Sequence, residues 1–223
     1  MDTVDNARAD AAINATDLCF RYGSKTVLDI SRFDLAQGED IAVIGPSGCG
    51  KTTFLHVLAG LARPSSGVIH VLGQDLSRLK SGHLDRFRGQ RIGMVFQRLH
   101  LLPALSVRDN VLLAQRLARV PVDDDRVSDL FARLDLTELV DHKPSMLSQG
   151  QAQRVAIARA LVHGPQLVLA DEPTSALDDR RADEAIELLR ESAQAVGAAL
   201  LVVTHDQRVR GRLSREFSLE QPS

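Results

Sequence analysis

The segment GPSGCGKT at residues 45–52 matches the pattern G-x-x-x-x-G-K-[ST] between a predicted strand and a predicted helix. Glycines at this spacing let the backbone curve around phosphate oxygens with its N–H groups pointing inward. The lysine of the pattern reaches the β- and γ-phosphates, and the final hydroxyl binds Mg²⁺. The segment therefore predicts a nucleoside triphosphate site. Its candidate binding residues are Gly45, Pro46, Ser47, Gly48, Cys49, Gly50, Lys51, Thr52 and Thr53.

Two carboxylates follow a short apolar strand in the segment LVLADEP, residues 167–173. Asp171 lies at the carboxyl end of this strand, where open α/β sheets bind their ligands, and it can hold Mg²⁺ through water. Glu172 is the candidate general base for an attacking water. A solvated turn before Pro173 is the alternative for this pair taken alone, and the nearby phosphate loop favours catalysis.

Two further polar side chains end predicted strands, His205 in LLVVTHD and Gln97 in RIGMVFQ. We expect both at the same sheet edge as Asp171, since the strands run parallel. His205 would then lie within reach of a γ-phosphate. Gln97 would touch Mg²⁺ or its water and report the occupied state to the helices that follow. A structural histidine and a polar strand terminus are the alternatives.

A second anion site is predicted in SMLSQGQAQRVAIARAL, residues 145–161. Ser148 and Gly150 precede a long run of helix formers, and serine is a favoured N-cap. A helix that begins in this way presents free N–H groups and the positive end of its dipole, which attract an anion. A chain with one phosphate loop has no evident need of a second such site for its own nucleotide.

The order of apolar strands and helices predicts an α/β architecture for the 223-residue chain. Continuous apolar strands that alternate with helices indicate a parallel sheet covered on both faces. Helical spacing of apolar residues in the middle of the chain indicates an inserted helical subdomain. The predicted units are a disordered tail at 1–12, an α/β core at 13–97 and 162–223, and the helical insert at 98–161.

Composition excludes several classes of protein. Lys plus Arg number 27 against 29 Asp plus Glu, a net charge of −2 that provides no electrostatic footprint for nucleic acid. The two cysteines are too few for a disulfide framework and favour a reducing compartment. The N-terminus has no signal-peptide pattern, and the longest apolar run, VGAALLVV, is far shorter than the ~20 residues of a membrane span. We expect a soluble intracellular protein that meets a membrane only through a partner.

Six motifs in chain order resemble the ATP-binding subunit of ABC transporters: GPSGCGKTT, VFQ, LSQGQ, LVLADEP, SALD and VVTHD. The resemblance implies a P-loop NTPase (RecA-like) core with an N-terminal antiparallel β region and an inserted α-helical subdomain. The segments RIGMVFQRLHLLPALSVRDNV and LSQGQAQRVAIARAL look most like the stand-alone subunits of the lipoprotein-release, macrolide-export and cell-division type.

The resemblance also implies roles at the chain's own nucleotide. Tyr22 would stack on adenine, with Phe20 as a rival. Asp171 would organise Mg²⁺, Glu172 would be the catalytic base, and His205 would contact the γ-phosphate. The implied ligands of Mg²⁺ are Thr52, Gln97 and Asp171.

Other roles implied by the resemblance concern a second copy of the chain, packed head to tail with two ATP molecules between the copies. The helix start at Ser148, Gly150 and Gln151 would bind the γ-phosphate held by the other copy, and the loop with Ser175 and Asp178 would cross to it. The implied protein hydrolyses ATP with Mg²⁺ and powers integral membrane permease subunits, with no nucleic-acid partner. It would be cytoplasmic and peripheral on the inner face of the cell membrane, with the permease bound near residues 98–111.

Three features depart from the family pattern. Gln149 stands where the signature usually has glycine, and Cys49 occupies a position often held by serine, as either a reactive thiol or a small filler. The chain also lacks the usual closing hairpin, so we expect a shortened last strand. Two other functions stay open: a soluble family member that acts in DNA or translation processes, and a binding module that does not hydrolyse ATP.

Overall fold

The computed structural model describes residues 11–175 and 177–222. The strands are β1 (Ala11–Tyr22), β2 (Lys25–Ala36), β3 (Asp40–Ile44), β4 (Ser66–Val71), β5 (Gln74–Asp75), β6 (Ile92–Val95), β7 (Leu167–Asp171), β8 (Ala199–Thr204) and β9 (Arg215–Ser218). The described helices are α1 (Lys51–Leu58), α2 (Ser81–Arg91), α3 (Val107–Ala118), α4 (Asp124–Arg133), α5 (Gln149–Leu161) and α6 (Asp179–Ala195). Short 3₁₀ turns lie at Leu76–Arg78, Thr137–Leu139, Pro144–Met146 and Gln207–Val209.

The central element is a parallel five-stranded sheet with the order β6-β7-β8-β3-β9. Its strands are apolar on both faces because helices cover both faces, as the sequence predicts. Ile44 at the end of β3 pairs with Thr204, and Asp171 at the end of β7 pairs with Val203. This register brings the carboxyl ends of three neighbouring strands to one edge.

A second, antiparallel sheet has the order β2-β1-β4-β5 and forms the predicted N-terminal β region. The turn between β1 and β2 has two residues, with Gly23 in the left-handed region at φ 59°, a conformation that suits glycine in such hairpins. The strand begins at Ala11, and Ala12 is buried, so the predicted disordered tail is wrong at residues 11 and 12. The remainder of that predicted tail, 1–10, lies outside the described residues.

The parallel sheet separates two hydrophobic cores. Along β3, Ile41 and Val43 face the first core, which also contains α1 and the antiparallel sheet, whereas Ala42 and Ile44 face the second. Helices α3 to α6 pack into the second core. In the first core, the ring of Phe33 meets that of Phe54 edge to face at a centroid distance of 5.1 Å, which fixes α1 against the antiparallel sheet.

The segment 98–161 lies between β6 and β7 and contains α3, α4 and α5. Helix α5 contacts both α3 and β6, so the segment is packed against the sheet as well as within itself. Helix α2 was not predicted, because its sequence SGHLDRFRGQR buries one side chain, Leu84, and has no apolar stripe. Strand β9 has four residues and pairs with β3 at the sheet edge. Among the described helices, none has the length and apolar character that crossing a bilayer requires.

Candidate functional site

The phosphate loop, residues 45–52, connects β3 to α1. Gly50 caps α1 with φ 98°, and a Cβ there would lie 2.7 Å from the carbonyl oxygen of Val27. A Cβ at Gly45 would lie 2.5 Å from the carbonyl oxygen of Leu219 and 2.6 Å from Cys49 Sγ. Both positions therefore require glycine, one for its backbone angle and both for space.

Two side chains of the loop are fixed by their surroundings. The ammonium of Lys51 donates to the carbonyl oxygens of Gly45 and Pro46 at 2.9 and 3.1 Å, so it is bound to the backbone of the phosphate loop itself. Cys49 is 1% exposed in the first core. Because a reactive thiol needs access to solvent, Cys49 is the small filler of the two alternatives.

Thr52 and Asp171 meet across the loop. The hydroxyl of Thr52 donates to Oδ1 of Asp171 at 3.3 Å. Burial raises the pKa of Asp171 above its ordinary value, and the hydrogen bond from Thr52 lowers it in part. Two hard oxygen donors lie side by side here, and the buried carboxylate would gain from a nearby cation. The pair therefore fits Mg²⁺ chemically.

Glu172 is held by three donors at the end of β8. The hydroxyl of Thr204 donates to its Oε2 at 2.9 Å, and the backbone N–H of His205 donates to its Oε1 at 3.1 Å. Ring atom Nδ1 of His205 lies 2.7 Å from the same Oε1. Glu172 is 8% exposed and has φ 45°, a left-handed conformation that is strained for a residue with a side chain. The carboxylate therefore has one fixed orientation.

The ring of His205 and the ammonium of Lys51 complete the polar surroundings of Glu172. Because an ionised carboxylate only accepts, Nδ1 of His205 is the donor in their hydrogen bond, and the ring is held against Glu172. Lys51 Nζ lies 3.8 Å from Glu172 Oε1. The structure thus brings together five of the predicted site residues: Lys51, Thr52, Asp171, Glu172 and His205.

Two further predicted residues are Tyr22, at the end of β1, and Gln97, which follows β6. The ring of Tyr22 is exposed and meets Phe20 edge to face at 4.9 Å, whereas Phe20 is buried in the first core. Tyr22 is therefore the better placed of the two to stack on a base. Gln97 Nε2 lies 3.5 Å from Ser175 Oγ, at the outer limit of a hydrogen bond, so these two predicted residues are neighbours.

Ser148 is the N-cap of α5, as the sequence predicts. Its hydroxyl accepts from the N–H of Gln151 at 3.3 Å, and its own N–H donates to Gln151 Oε1 at 2.8 Å, which completes a capping box. A Cβ at Gly150 would meet no atom within 4 Å, so the helix start is open to an approaching group.

The groove beside Ser148 is separate from the one at the phosphate loop. Its lining includes Ser148, Gly150, Gln151, Leu177 and Arg181. The groove at the phosphate loop is lined by Gly45, Pro46, Ser47, His205 and Asp206, among others. Among the described residues, none lines both. The predicted second anion site therefore has a groove of its own, distinct from the one at the phosphate loop.

Sequence reasoning missed four residues around the site: Thr174, Thr204, Asp206 and Arg208. The hydroxyl of Thr204 holds Glu172 and accepts from the N–H of Asp206 at 2.9 Å. Asp206 also accepts from Thr174 and Arg208. The available signal was the polar sequence Thr-His-Asp at the end of β8, in which Thr204 and Asp206 flank the predicted residue His205.

A family model described as ABC transporter matches residues 28–175. The chain belongs to the ABC transporter family. It is 42% identical over 208 residues to the lipoprotein-releasing system ATP-binding protein LolD of Legionella pneumophila, and the match covers 92% of each chain. It is 43% identical over 191 residues to the LolD protein of Hydrogenovibrio crunogenus, which covers 85% of this chain and 83% of that relative.

Solved ABC cassettes have the same fold. A dimeric structure of MJ0796, a bacterial ABC transporter cassette, is 31% identical, covers 94% of each chain and has a TM-score of 0.83. A dimeric post-hydrolysis structure of MJ0796 bound to ADP and Pi has a TM-score of 0.82 at 31% identity and 94% coverage of each chain. The predicted P-loop NTPase fold and the ATP-binding, ATP-hydrolysing function of an ABC transporter subunit are confirmed. A function in DNA or translation processes is not favoured.

Proposed function

We propose that two copies of this chain pack head to tail and that each completes the other's hydrolytic site. The observation that carries this proposal is the open helix start at Ser148, which has a groove distinct from that of the phosphate loop. In a symmetric pair, the same surface of each copy meets the other, so both helix starts gain a phosphate to bind. The dimeric MJ0796 cassettes support this arrangement.

The chemistry at each site follows from the geometry at the sheet edge. A water attacks the γ-phosphorus, the bond to the β-phosphate oxygen breaks, and ADP leaves. Glu172 accepts the proton of the water, since its carboxylate is oriented by Thr204 and His205. The exposed ring of His205 would contact the γ-phosphate and order it for attack.

Magnesium is the cofactor that the donor set fits. Thr52, Gln97 and Asp171 would hold it, and the bound ion would neutralise charge on the phosphate oxygens. Lys51 would exchange the carbonyl oxygens of its own loop for the β- and γ-phosphates. Tyr22 would stack on adenine at the opposite end of the nucleotide.

Rate measurements over a range of chain concentrations test the two-chain site. Specific activity per chain should rise with concentration and reach a plateau, because dilution separates the copies. The same samples are followed by sedimentation to give the monomer fraction. A constant specific activity across concentrations at which the chain is monomeric would contradict the proposal.

We also propose that the pair drives integral membrane permease subunits of the lipoprotein-releasing type, from the cytoplasmic face of the inner membrane. The similarity to LolD proteins supports this. Part of the predicted contact segment is available, since Leu102 is 44% exposed, although Val107 is buried in the second core. The tagged chain, expressed in its own host, should co-purify with a polytopic membrane protein. Recovery without any membrane protein, together with ATPase stimulation by nucleic acid, would refute this partner.

A further inference from the structure

Arg208, which follows β8 in the 3₁₀ turn Gln207–Val209, bridges two loops of the site. Its Nε donates to both carboxylate oxygens of Asp206, at 2.8 and 3.0 Å. Its Nη1 donates to the carbonyl oxygen of Leu177 at 3.2 Å and to the carboxylate of Asp179 at 2.7 Å. One guanidinium thus joins the end of β8 to the loop that leads from β7 into α6. Arginine suits this task because its donors form a rigid fork.

The hydrogen bonds continue from Asp206 to the candidate base. The N–H of Asp206 donates to Thr204 Oγ1, and that hydroxyl donates to Glu172 Oε2, both at 2.9 Å. The hydroxyl of Thr174 donates to Asp206 at 2.7 Å and ties the other strand end to the same carboxylate. A continuous path of hydrogen bonds therefore leads from Glu172 to Arg208.

The other end of this path reaches the groove at the second anion site. Leu177, whose carbonyl oxygen Arg208 holds, lines the groove of about 290 Å³ together with Ser148 and Gly150. Within one chain, Arg208 therefore connects the carboxylate at the chain's own nucleotide to the wall of the groove that would receive the other copy's nucleotide.

We propose that Arg208 is a positioning residue that sets the Leu177 loop relative to Glu172 and so couples the two ATP sites of the dimer. The proposal rests on the two-chain site proposed above. The charge pair that supports it is permanent at working pH, because hydrogen bonds from Arg208 hold the pKa of Asp206 at about 2. The sequence alone predicted no role for Arg208 or for Asp206.

A merely structural role is the alternative, and a neighbouring arginine provides the matched control. Arg212 lies between the 3₁₀ turn and β9 and also bonds to α6, donating to Asp183 at 2.6 Å. It contacts neither the Leu177 loop nor Asp206 in any described hydrogen bond. Replacing Arg212 by alanine removes an arginine–aspartate pair on the same helix without touching the path.

The test compares Arg208→Ala with Arg212→Ala in ATP titrations of hydrolysis. Arg208→Ala should lower kcat about tenfold, because Glu172 is less well positioned. It should also bring the Hill coefficient for ATP close to one, because the coupling between the two sites is lost. Its affinity for a fluorescent ATP analogue should stay near that of the wild type, because the phosphate loop is unchanged. Arg212→Ala should keep both kcat and the Hill coefficient. Equal kinetics of the two variants would overturn the role of Arg208.

A second variant keeps the test decisive if Arg208→Ala lowers the unfolding midpoint more than Arg212→Ala. Arg208→Lys keeps the charge and most of the side chain, but a single ammonium lacks the fork that reaches Asp206 and Leu177 together. We expect a wild-type midpoint with a reduced Hill coefficient. Wild-type cooperativity in Arg208→Lys would refute the proposal.

The same measurements separate this inference from the proposed dimer. If the specific activity of the wild type does not depend on chain concentration, the two-chain site itself is wrong. If the specific activity rises with concentration while Arg208→Ala behaves as Arg212→Ala does, the dimer stands and only the coupling role fails.

Discussion

Glu172 combines three features that rarely coincide in a side chain with a purely structural role. It is buried, its backbone is left-handed, and its carboxylate accepts hydrogen bonds from Thr204 and from two nitrogens of His205. The left-handed backbone costs roughly 1–2 kcal/mol. A base held in this way needs no reorientation when water attacks, which is the benefit that offsets the strain.

Glu172→Gln tests the role of the base. The amide keeps the shape of the side chain but takes no proton from water, so kcat should fall about 10²–10⁴-fold. Nucleotide affinity should change little, because Lys51 and the loop glycines are untouched. Steady-state hydrolysis and binding of a fluorescent ATP analogue measure the two quantities. Glu187→Gln, on the surface of α6, is the control, and unchanged turnover in Glu172→Gln would remove the assignment.

The lowered pKa of Asp206 predicts that the stability of the fold depends on pH. Hydrogen bonds from Arg208 lower its pKa from 3.8 to about 2, so its carboxylate stabilises the fold above pH 3.8 and loses that contribution as the pH falls towards 2. The pH-dependent part amounts to at most about 2 kcal/mol at pH 7 and to about half of that at pH 3. Urea unfolding of the wild type and Asp206→Asn at several pH values measures it. A difference between the two proteins that stays constant from pH 7 to pH 3 would contradict the pKa.

At the scale of elements, the same type of cap occurs twice with different expected consequences. Ser148 caps α5, and Ser106 caps α3 by accepting from the N–H of Asp109 at 3.1 Å. Ser148 borders an open groove, whereas the cap at Ser106 lies at a helix that packs into the second core. Substituting each serine in turn therefore distinguishes the contribution of a helix cap to stability from a contribution of Ser148 to phosphate binding.

Serine-to-alanine substitutions at these two caps test the second anion site. Each should lower the free energy of unfolding by about 1 kcal/mol. Ser148→Ala should also lower kcat by at least about tenfold, since it removes a contact with the other copy's γ-phosphate. Urea unfolding and hydrolysis at a concentration that gives full dimer measure both effects. If Ser106→Ala loses as much activity as Ser148→Ala, capping alone explains the loss.

Elements that carry a strong local signal could be predicted from the sequence. Strand β3, the phosphate loop and the start of α5 each combine apolar runs, glycines or a capping serine, and the structure has all three. Helix α2 and strand β5 could not be predicted, because one buries a single apolar side chain and the other has two residues. Their positions depend on packing against distant parts of the chain.

The site as a whole could be predicted only at strand ends. Asp171, Glu172 and His205 follow apolar strands directly, so the parallel sheet places them together. The bonds of Arg208 to Leu177 and Asp179 join the 3₁₀ turn after β8 to the start of α6, two segments about 30 residues apart in the sequence. Such contacts follow from the tertiary fold and leave no pattern in the neighbouring residues.

Nucleotide binding should stabilise the whole molecule. For the Glu172→Gln variant, which preserves ATP, a nucleotide at 100 times its Kd adds about 2.7 kcal/mol. For a chain of this length the thermal midpoint should then rise by about 5–10 °C. With ATP and Mg²⁺ the midpoint should also increase with chain concentration, because binding and pairing are linked, and with ADP it should not. Differential scanning fluorimetry at two chain concentrations measures this. A midpoint independent of chain concentration in ATP would argue against pairing.

The parallel sheet lies between the two hydrophobic cores, and this position should slow the exchange of its backbone amide protons with deuterium. Residues of β3 and β8 face α1 on one side and α3 to α6 on the other, so opening either core alone leaves these strands covered on one face. Their amides should therefore be the last to take up deuterium and should report the global opening reaction. The amides of β5 and β9, at the sheet edges, should exchange through smaller local openings.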